Sequence, residues 1–117
     1  MRPDDADRSY LIDMLHHARG AVESVHEMSY EHYAAEETLR LATERRIEII
    51  GEAARLVSEE LKANYPDIPW QKIVAQRHVL AHEYGEIEDE LIWRVVTVHL
   101  PKLIGQLQAM TLNNETR

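Results

Sequence analysis

The apolar residues of this 117-residue chain recur at the spacing of an α-helix, and this periodicity constrains the fold more than any other feature. Leu11, Leu15, Ala18, Val22 and Val25 follow one another at steps of 4, 3, 4 and 3 residues, which places them on one helix face. The chain has only four Gly and four Pro to interrupt such helices, and β-type alternation is rare. We therefore predict an all-α fold.

Turn-forming residues divide the chain into four predicted main helices. The first covers about 5–28, the second about 36–64, the third runs from Pro69 to about 82, and the fourth begins within 86–90. Ser29 is a predicted N-cap, followed by a short turn or helical lead-in over 30–35.

Two further turn signals and a tail complete the predicted layout. Gly85 is well placed to cap the third helix, and Pro101 should kink or restart the fourth. The whole of 1–117 is expected to form one domain, with its core over about 8–108 and a frayed tail over 111–117.

Composition excludes several classes of protein. The absence of Cys excludes disulfides, thiolate metal sites and a cysteine nucleophile. The polar, acidic start is unlike a signal peptide, and no apolar run approaches the ~18 residues of a membrane span. We therefore expect a cytoplasmic protein without membrane contact. A net charge of −8 argues against a surface that coats nucleic acid non-specifically.

The densest group of chemically able side chains lies in the stretch from Arg77 to Gly85. Arg77 and His82 are five residues apart, or about 140° around an ideal helix, so they converge only if the helix loosens or two copies meet. An Arg can bind phosphate through its planar fork, and a His in the last helical turn favours its protonated form. From spacing alone, a surface Arg and a helix-terminal His are the more common explanation of such a pair.

A metal site is a second interpretation of the same stretch. His78 and His82 are separated by four residues, so they lie on one helix face and could share a zinc ion with Glu86 as third ligand. However, Val79 stands where a His-Glu-x-x-His motif would have Glu.

The second predicted helix carries most of the basic residues. Because Glu residues alternate with them, we expect i,i+4 ion pairs and a solvated, largely neutralised face rather than a nucleic-acid surface. The residues are Arg40, Arg45, Arg46 and Arg55, with Glu44, Glu48 and Glu52.

Four motifs in fixed order resemble the HepT-like family of HEPN domains. The resemblance extends from about Arg8 to Leu107, and the ordered set is more specific than any one motif. The motifs are Arg46-Ile-Glu-Ile-Ile-Gly-Glu-Ala-Ala54, Pro66-Asp-Ile-Pro-Trp70, Arg77-x4-His82-x-Tyr84 and Ile92-Trp93.

This resemblance implies a four- to five-helix, up-and-down bundle that forms a homodimer. It implies the toxin of a type VII-like toxin–antitoxin system, a metal-independent ribonuclease that needs no cofactor. Arg77 and His82 are the implied catalytic residues. The implied partner is an MntA-like minimal nucleotidyltransferase antitoxin, which would transfer AMP to Tyr84.

The chain departs from the family pattern at one position. The residue after the motif Arg is usually Asn, whereas here it is His78, to which we assign a supporting or substrate-binding role. The alternative function is a non-catalytic, helical nucleotide- or substrate-binding companion of a nucleotidyltransferase.

Overall fold

The computed structural model describes residues 4–82 and 89–115, with the side chains of 4–76 and 89–110. Every regular element in these ranges is helical, so the predicted all-α class is confirmed. The elements are α1 (Asp5–Ser24), α2 (Tyr30–Ala35), α3 (Glu37–Leu56), α4 (Glu59–Asn64), α5 (Trp70–His82), α6 (Asp89–Arg94), a π-helical segment (Val95–His99) and α7 (Leu100–Glu115).

The long helices run up and down around one core. Helix α1 packs antiparallel to α3, because Asp7 contacts Ser58 just beyond α3 while His17 contacts Arg46 in its middle. Helix α3 also packs on α5, and α7 closes the bundle against α1. The largest fully buried side chains are Tyr33, Met14, Ile50, Leu61, Leu107 and Met110.

The predicted second helix is in fact two helices. Val57 is extended (φ −63°, ψ 140°), and Ser58 starts α4 as an N-cap that accepts a hydrogen bond from the Leu61 N–H at 3.2 Å. The Ser58 N–H and hydroxyl in turn donate to the carboxylate of Asp7, at 2.8 and 2.6 Å. The prediction of one helix over 36–64 was wrong because this capping bond offers the backbone an alternative to helix continuation.

The ends of the other early elements differ from prediction by a few residues. Helix α1 ends at Ser24 rather than Met28, and a turn follows in which Glu27 has a left-handed φ of 62°. The predicted N-cap at Ser29 is confirmed, since its hydroxyl accepts from the His32 N–H at 3.1 Å. Helix α5 begins at Trp70, so Pro69 precedes the first turn instead of lying within it.

Pro101 restarts the last helix, as predicted, and a π-helical segment precedes it. Pro101 has no N–H to bond the carbonyl of Thr97. The Leu100 N–H bonds the carbonyl of Val95, which is the i→i−5 pattern of a π-helix. The Thr97 hydroxyl donates to the carbonyl of Trp93 at 2.8 Å and so compensates for part of the altered backbone pairing.

The last helix continues further than the sequence predicted. Helix α7 runs to Glu115, whereas a frayed tail was predicted from residue 111, because no Gly or Pro follows Gly105 to end the helix. The predicted cap at Gly85 and the predicted helix start over 86–88 lie outside the described residues, and α6 is described from Asp89. None of the described helices has both the length and the apolar character needed to cross a membrane.

Candidate active site

The sequence motif lies at the C-terminal end of α5. The backbone of Arg77, His78 and His82 belongs to the last two turns of this helix, whereas their side chains are outside the described part of the structure. Tyr84 lies outside the described residues altogether. The convergence of Arg77 and His82, and the supporting role of His78, therefore remain predictions.

The first turn of α5 fixes the position of the helix in the bundle. The Trp70 side chain is buried, and its indole Nε1–H donates to the carbonyl of Tyr65 at 3.0 Å. Ile68 and Ile73 are also buried on either side of it. With its start held in this way, α5 carries the motif toward the opposite end of the bundle.

The motif turns lie level with the start of α3. Ile47 of α3 and Gln76 of α5 line the same cleft. Asp89, the first residue of α6, contacts Arg40 in the first turn of α3. Only six residues separate Asp89 from the end of α5. The two helices are therefore antiparallel, so the segment from Arg40 to Glu44 neighbours the end of α5 that carries the motif.

A polar cluster occupies this end of the bundle, and we call Tyr33, Arg40, Glu44 and Asp89 the Arg40–Asp89 cluster. A guanidinium nitrogen of Arg40 lies 3.5 Å from a carboxylate oxygen of Asp89, and each side chain is 28% exposed. The hydroxyl of Tyr33 and the Nε of Arg40 are both buried, without a hydrogen-bond partner among the described residues. The Tyr33 ring packs against Trp93 of α6, with ring centroids 5.2 Å apart.

The charges in this cluster are unbalanced. Burial raises the pKa of the Tyr33 hydroxyl well above its ordinary value, and the charges of Glu44 and Asp89 raise it further. Burial also raises the pKa of the Glu44 carboxyl, and the negative charge of Asp89 adds to this shift. Arg40 acts in the opposite direction on both groups. The cluster thus holds two carboxyls against one guanidinium, beside a neutral phenol whose hydroxyl has no partner among the described residues.

The basic residues of α3 divide into two kinds. Arg45 pairs with Glu48 at 3.0 Å and Arg55 pairs with Glu52 at 2.6 Å, so part of the predicted salt-bridged face is present, although at i,i+3 rather than i,i+4 spacing.

Arg40 and Arg46 instead contact residues of other helices. Arg40 reaches Asp89 of α6, and a guanidinium nitrogen of Arg46 lies 3.1 Å from Nδ1 of His17 in α1. Burial, and then the charge of Arg46, lower the pKa of His17, which suits a neutral ring that accepts this bond. A Cβ at Gly20 would collide with the Arg46 guanidinium, so a larger residue there would require the end of the flexible Arg46 side chain to move. Sequence reasoning missed both contacts because the partners are remote in sequence.

No group of three or more His, Asp or Glu side chains is placed to hold a metal ion in the described part of the chain. The alternative zinc ligands, His78, His82 and Glu86, lie beyond the described side chains, so this finding does not bear on them.

The sequence model of the family described as Ribonuclease HepT-like matches residues 14–110. The chain belongs to the HepT-like ribonuclease family. The match contains all of α5 and therefore Arg77 and His82, and it also contains Tyr84.

Curated relatives of this HepT-like chain carry names of the same kind. A protein of Methanocaldococcus jannaschii named "Putative RNase MJ1380" is 31% identical over 101 residues, which cover 86% of this chain and 93% of the relative. A protein of Caldanaerobacter subterraneus named "Putative RNase TTE0752" is 31% identical over 86% of this chain and 90% of its own. A protein of Thermococcus cleftensis named "Probable ribonuclease HepT" is 27% identical over 88% of this chain and 94% of its own. No solved structure matches the chain.

The raised pKa of Glu44 predicts how stability depends on pH. Because the folded-state pKa lies above the unfolded value of about 4.3, folding favours the protonated carboxyl. As pH rises through the interval between these two pKa values, the free energy of unfolding of wild-type protein should therefore fall relative to that of Glu44→Gln. Urea unfolding should show the variant more stable than wild type at about pH 7.5, with the difference gone near about pH 4.

Glu60→Gln is the matched control for this test. Glu60 is exposed on α4, away from the Arg40–Asp89 cluster, so its replacement should change stability little at either pH. A Glu44→Gln variant less stable than wild type at about pH 7.5 would contradict the inferred shift.

Proposed function

We propose that this chain is a ribonuclease toxin that cleaves RNA at a site built from Arg77 and His82. The observation that carries the proposal is the match to the HepT-like ribonuclease family over residues 14–110, a range that contains both residues. Their Arg-x4-His spacing is the one that the resemblance to the family implies for the catalytic pair. The names of the relatives as ribonucleases support the same reaction class.

The chemistry of RNA cleavage suits these two side chains. The 2′-hydroxyl is the internal nucleophile, so the protein must remove its proton, protonate the leaving 5′-oxygen and stabilise charge on the phosphate. His82 can act as base or acid because the ordinary pKa of histidine, about 6.5, lies near the working pH. Arg77 is permanently charged and can bind two phosphate oxygens. The proposed reaction therefore uses no metal ion.

A single His cannot easily be both base and acid at one phosphate. A twofold dimer would bring two His82 and two Arg77 side chains to one cleft and so supply both proton-transfer roles. We therefore place the active site at a homodimer interface. His78 would lie beside it as a hydrogen-bond donor to the RNA.

Regulation in this proposal acts through Tyr84. Tyr84 follows His82 by two residues, so an AMP group on its hydroxyl would put an anion beside Arg77. That anion would compete with RNA phosphate for the guanidinium and obstruct entry. The proposed enzyme for this transfer is a minimal nucleotidyltransferase antitoxin, which uses ATP as the AMP donor.

Arg77→Ala and His82→Ala should each lower RNA cleavage by at least about 100-fold, because each removes charge stabilisation or general acid–base catalysis. A gel assay of the cleavage of a labelled single-stranded RNA would measure the rates of the two variants. The wild-type rate should be unchanged in excess EDTA. The matched controls are Arg45→Ala and His26→Ala, whose side chains are exposed and lie on α3 and in the loop after α1.

Retention of wild-type cleavage by either active-site variant would overturn the proposed roles, and loss of wild-type activity with EDTA alone would favour the zinc alternative. If the folded wild-type protein cleaves no RNA at all, the non-catalytic binding companion becomes the better account.

Modification of Tyr84 should abolish cleavage. Incubation with ATP and the partner nucleotidyltransferase should add AMP to wild-type protein, seen by intact mass, and not to Tyr84→Phe. Tyr10→Phe, which lacks a different tyrosine hydroxyl, is the control and should be modified like wild type. Full RNase activity in the Tyr84-modified protein would contradict the proposed inhibition.

A further inference from the structure

A cleft lies between α3, α5 and α7, on the same helix that carries the active-site motif. It encloses about 310 Å³, at the lower end of the range of about 300–1,000 Å³ that is typical of ligand pockets. Gln76, directly before Arg77 in sequence, is part of its lining. The cleft is therefore close along α5 to the residues proposed for catalysis.

The floor of the cleft is apolar. Ile47 and Ile50 of α3, together with Leu103 of α7, are each at most 4% exposed and yet line it. Buried side chains that still border an open cleft leave an apolar surface that a flat, weakly polar group can cover. A nucleobase has this shape and character.

The rim of the cleft is cationic, which is unusual in a chain of net charge −8. Its Lys and Arg residues are Lys72 of α5 and Lys102 of α7, against the single acid Asp67. Neither lysine forms an ion pair with another described residue, whereas Lys62, the third lysine of the chain, pairs with Glu59.

The hollow between α1 and α3 provides a contrast within the same molecule. Its charged lining residues are Asp13, Glu48 and Glu52, with Arg45 as the one base. The cationic rim beside α5 differs from this acidic hollow, although a third hollow, lined by Arg19 and Arg46 with Glu23, is also net basic. In the cleft beside α5, two ammonium groups that form no ion pair with a described residue lie over an apolar floor. This arrangement is complementary to a nucleotide, whose phosphate is anionic and whose base is largely apolar on its faces.

The π-helical segment contributes to this shape. Val95, at its first position, and His99, at its last, both line the cleft. Widened π turns recur at functional sites. The exposed imidazole of His99 adds a planar ring to the rim, against which a base can stack.

We propose that this cleft binds one nucleotide of the RNA substrate next to the cleaved bond, with the base on the apolar floor and a phosphate between Lys72 and Lys102. The inference rests on the proposed ribonuclease function for the identity of the ligand. The same strand would then pass from the cleft along α5 toward Arg77.

The test measures binding separately from cleavage. A 2′-O-methyl oligonucleotide has no free 2′-hydroxyl and cannot be cleaved by the proposed reaction, so fluorescence anisotropy can report its Kd. The Lys72→Gln/Lys102→Gln double variant should raise this Kd about tenfold and lower the slope of log Kd against log salt by about 0.7, the loss of one neutralised phosphate on a single strand. On natural RNA, KM should rise by a similar factor while kcat changes little.

Lys62→Gln/Arg45→Gln is the matched control, since it also removes two positive charges but outside the cleft, and it should leave Kd, KM and the salt slope unchanged. A 2′-O-methyl oligonucleotide of uridine should bind wild-type protein more tightly than an oligonucleotide of equal length without bases.

Unchanged Kd and KM in the double variant would overturn the cleft proposal, even if wild-type protein cleaves RNA normally. Sedimentation would show whether the double variant has a different oligomeric state. If it does, and its Kd per dimer is unchanged, the cleft proposal is likewise overturned and the cleft is assigned to a second copy or another protein. The ribonuclease function can fail independently of the cleft proposal. If the uncleavable RNA binds in a way that depends on the two lysines but natural RNA is not cleaved, the ribonuclease function is refuted and the cleft remains an RNA site.

Discussion

The fold depends on the buried carboxylate of Asp7, which accepts hydrogen bonds from both the backbone N–H and the hydroxyl of Ser58. This contact joins the first turn of α1 to the break between α3 and α4. Because Ser58 is also the N-cap of α4, the same contact ends the long helix α3 and turns the chain toward α5. Together with the contact between Arg46 and His17, this interaction sets the register of α1 against α3.

The opposite end of the bundle is held by the Arg40–Asp89 cluster. Arg40 joins the start of α3 to the start of α6, and six residues separate α6 from the end of α5. The cluster also keeps a phenol hydroxyl and a guanidinium Nε buried without partners among the described residues, which costs free energy unless other groups use them. The residues proposed for catalysis are thus carried by α5, which begins at the buried Trp70 and is followed along the chain by Asp89, the partner of Arg40.

The sequence predicted the all-α class, the N-cap at Ser29 and the restart at Pro101 because each depends on local periodicity or on a residue with a strong backbone preference. The split after Leu56 and the roles of Arg40 and Arg46 could not be predicted, since their partners Asp7, Asp89 and His17 lie elsewhere in the sequence. The candidate site shows the same division. Spacing suggested Arg77 and His82 only weakly, the resemblance gave them roles, and the cleft with Lys72 and Lys102 needed the packing of three helices to be seen.

The central claim is that two chains together build one ribonuclease site from Arg77 and His82. The most direct measurement is the RNA cleavage rate of a purified, differently tagged heterodimer of one wild-type chain and one Arg77→Ala/His82→Ala chain, compared with the wild-type dimer. A composite site predicts a rate far below half that of wild type, because the lone His82 cannot serve as both base and acid. A rate equal to half that of wild type would mean that each chain cleaves RNA on its own, and would contradict the account.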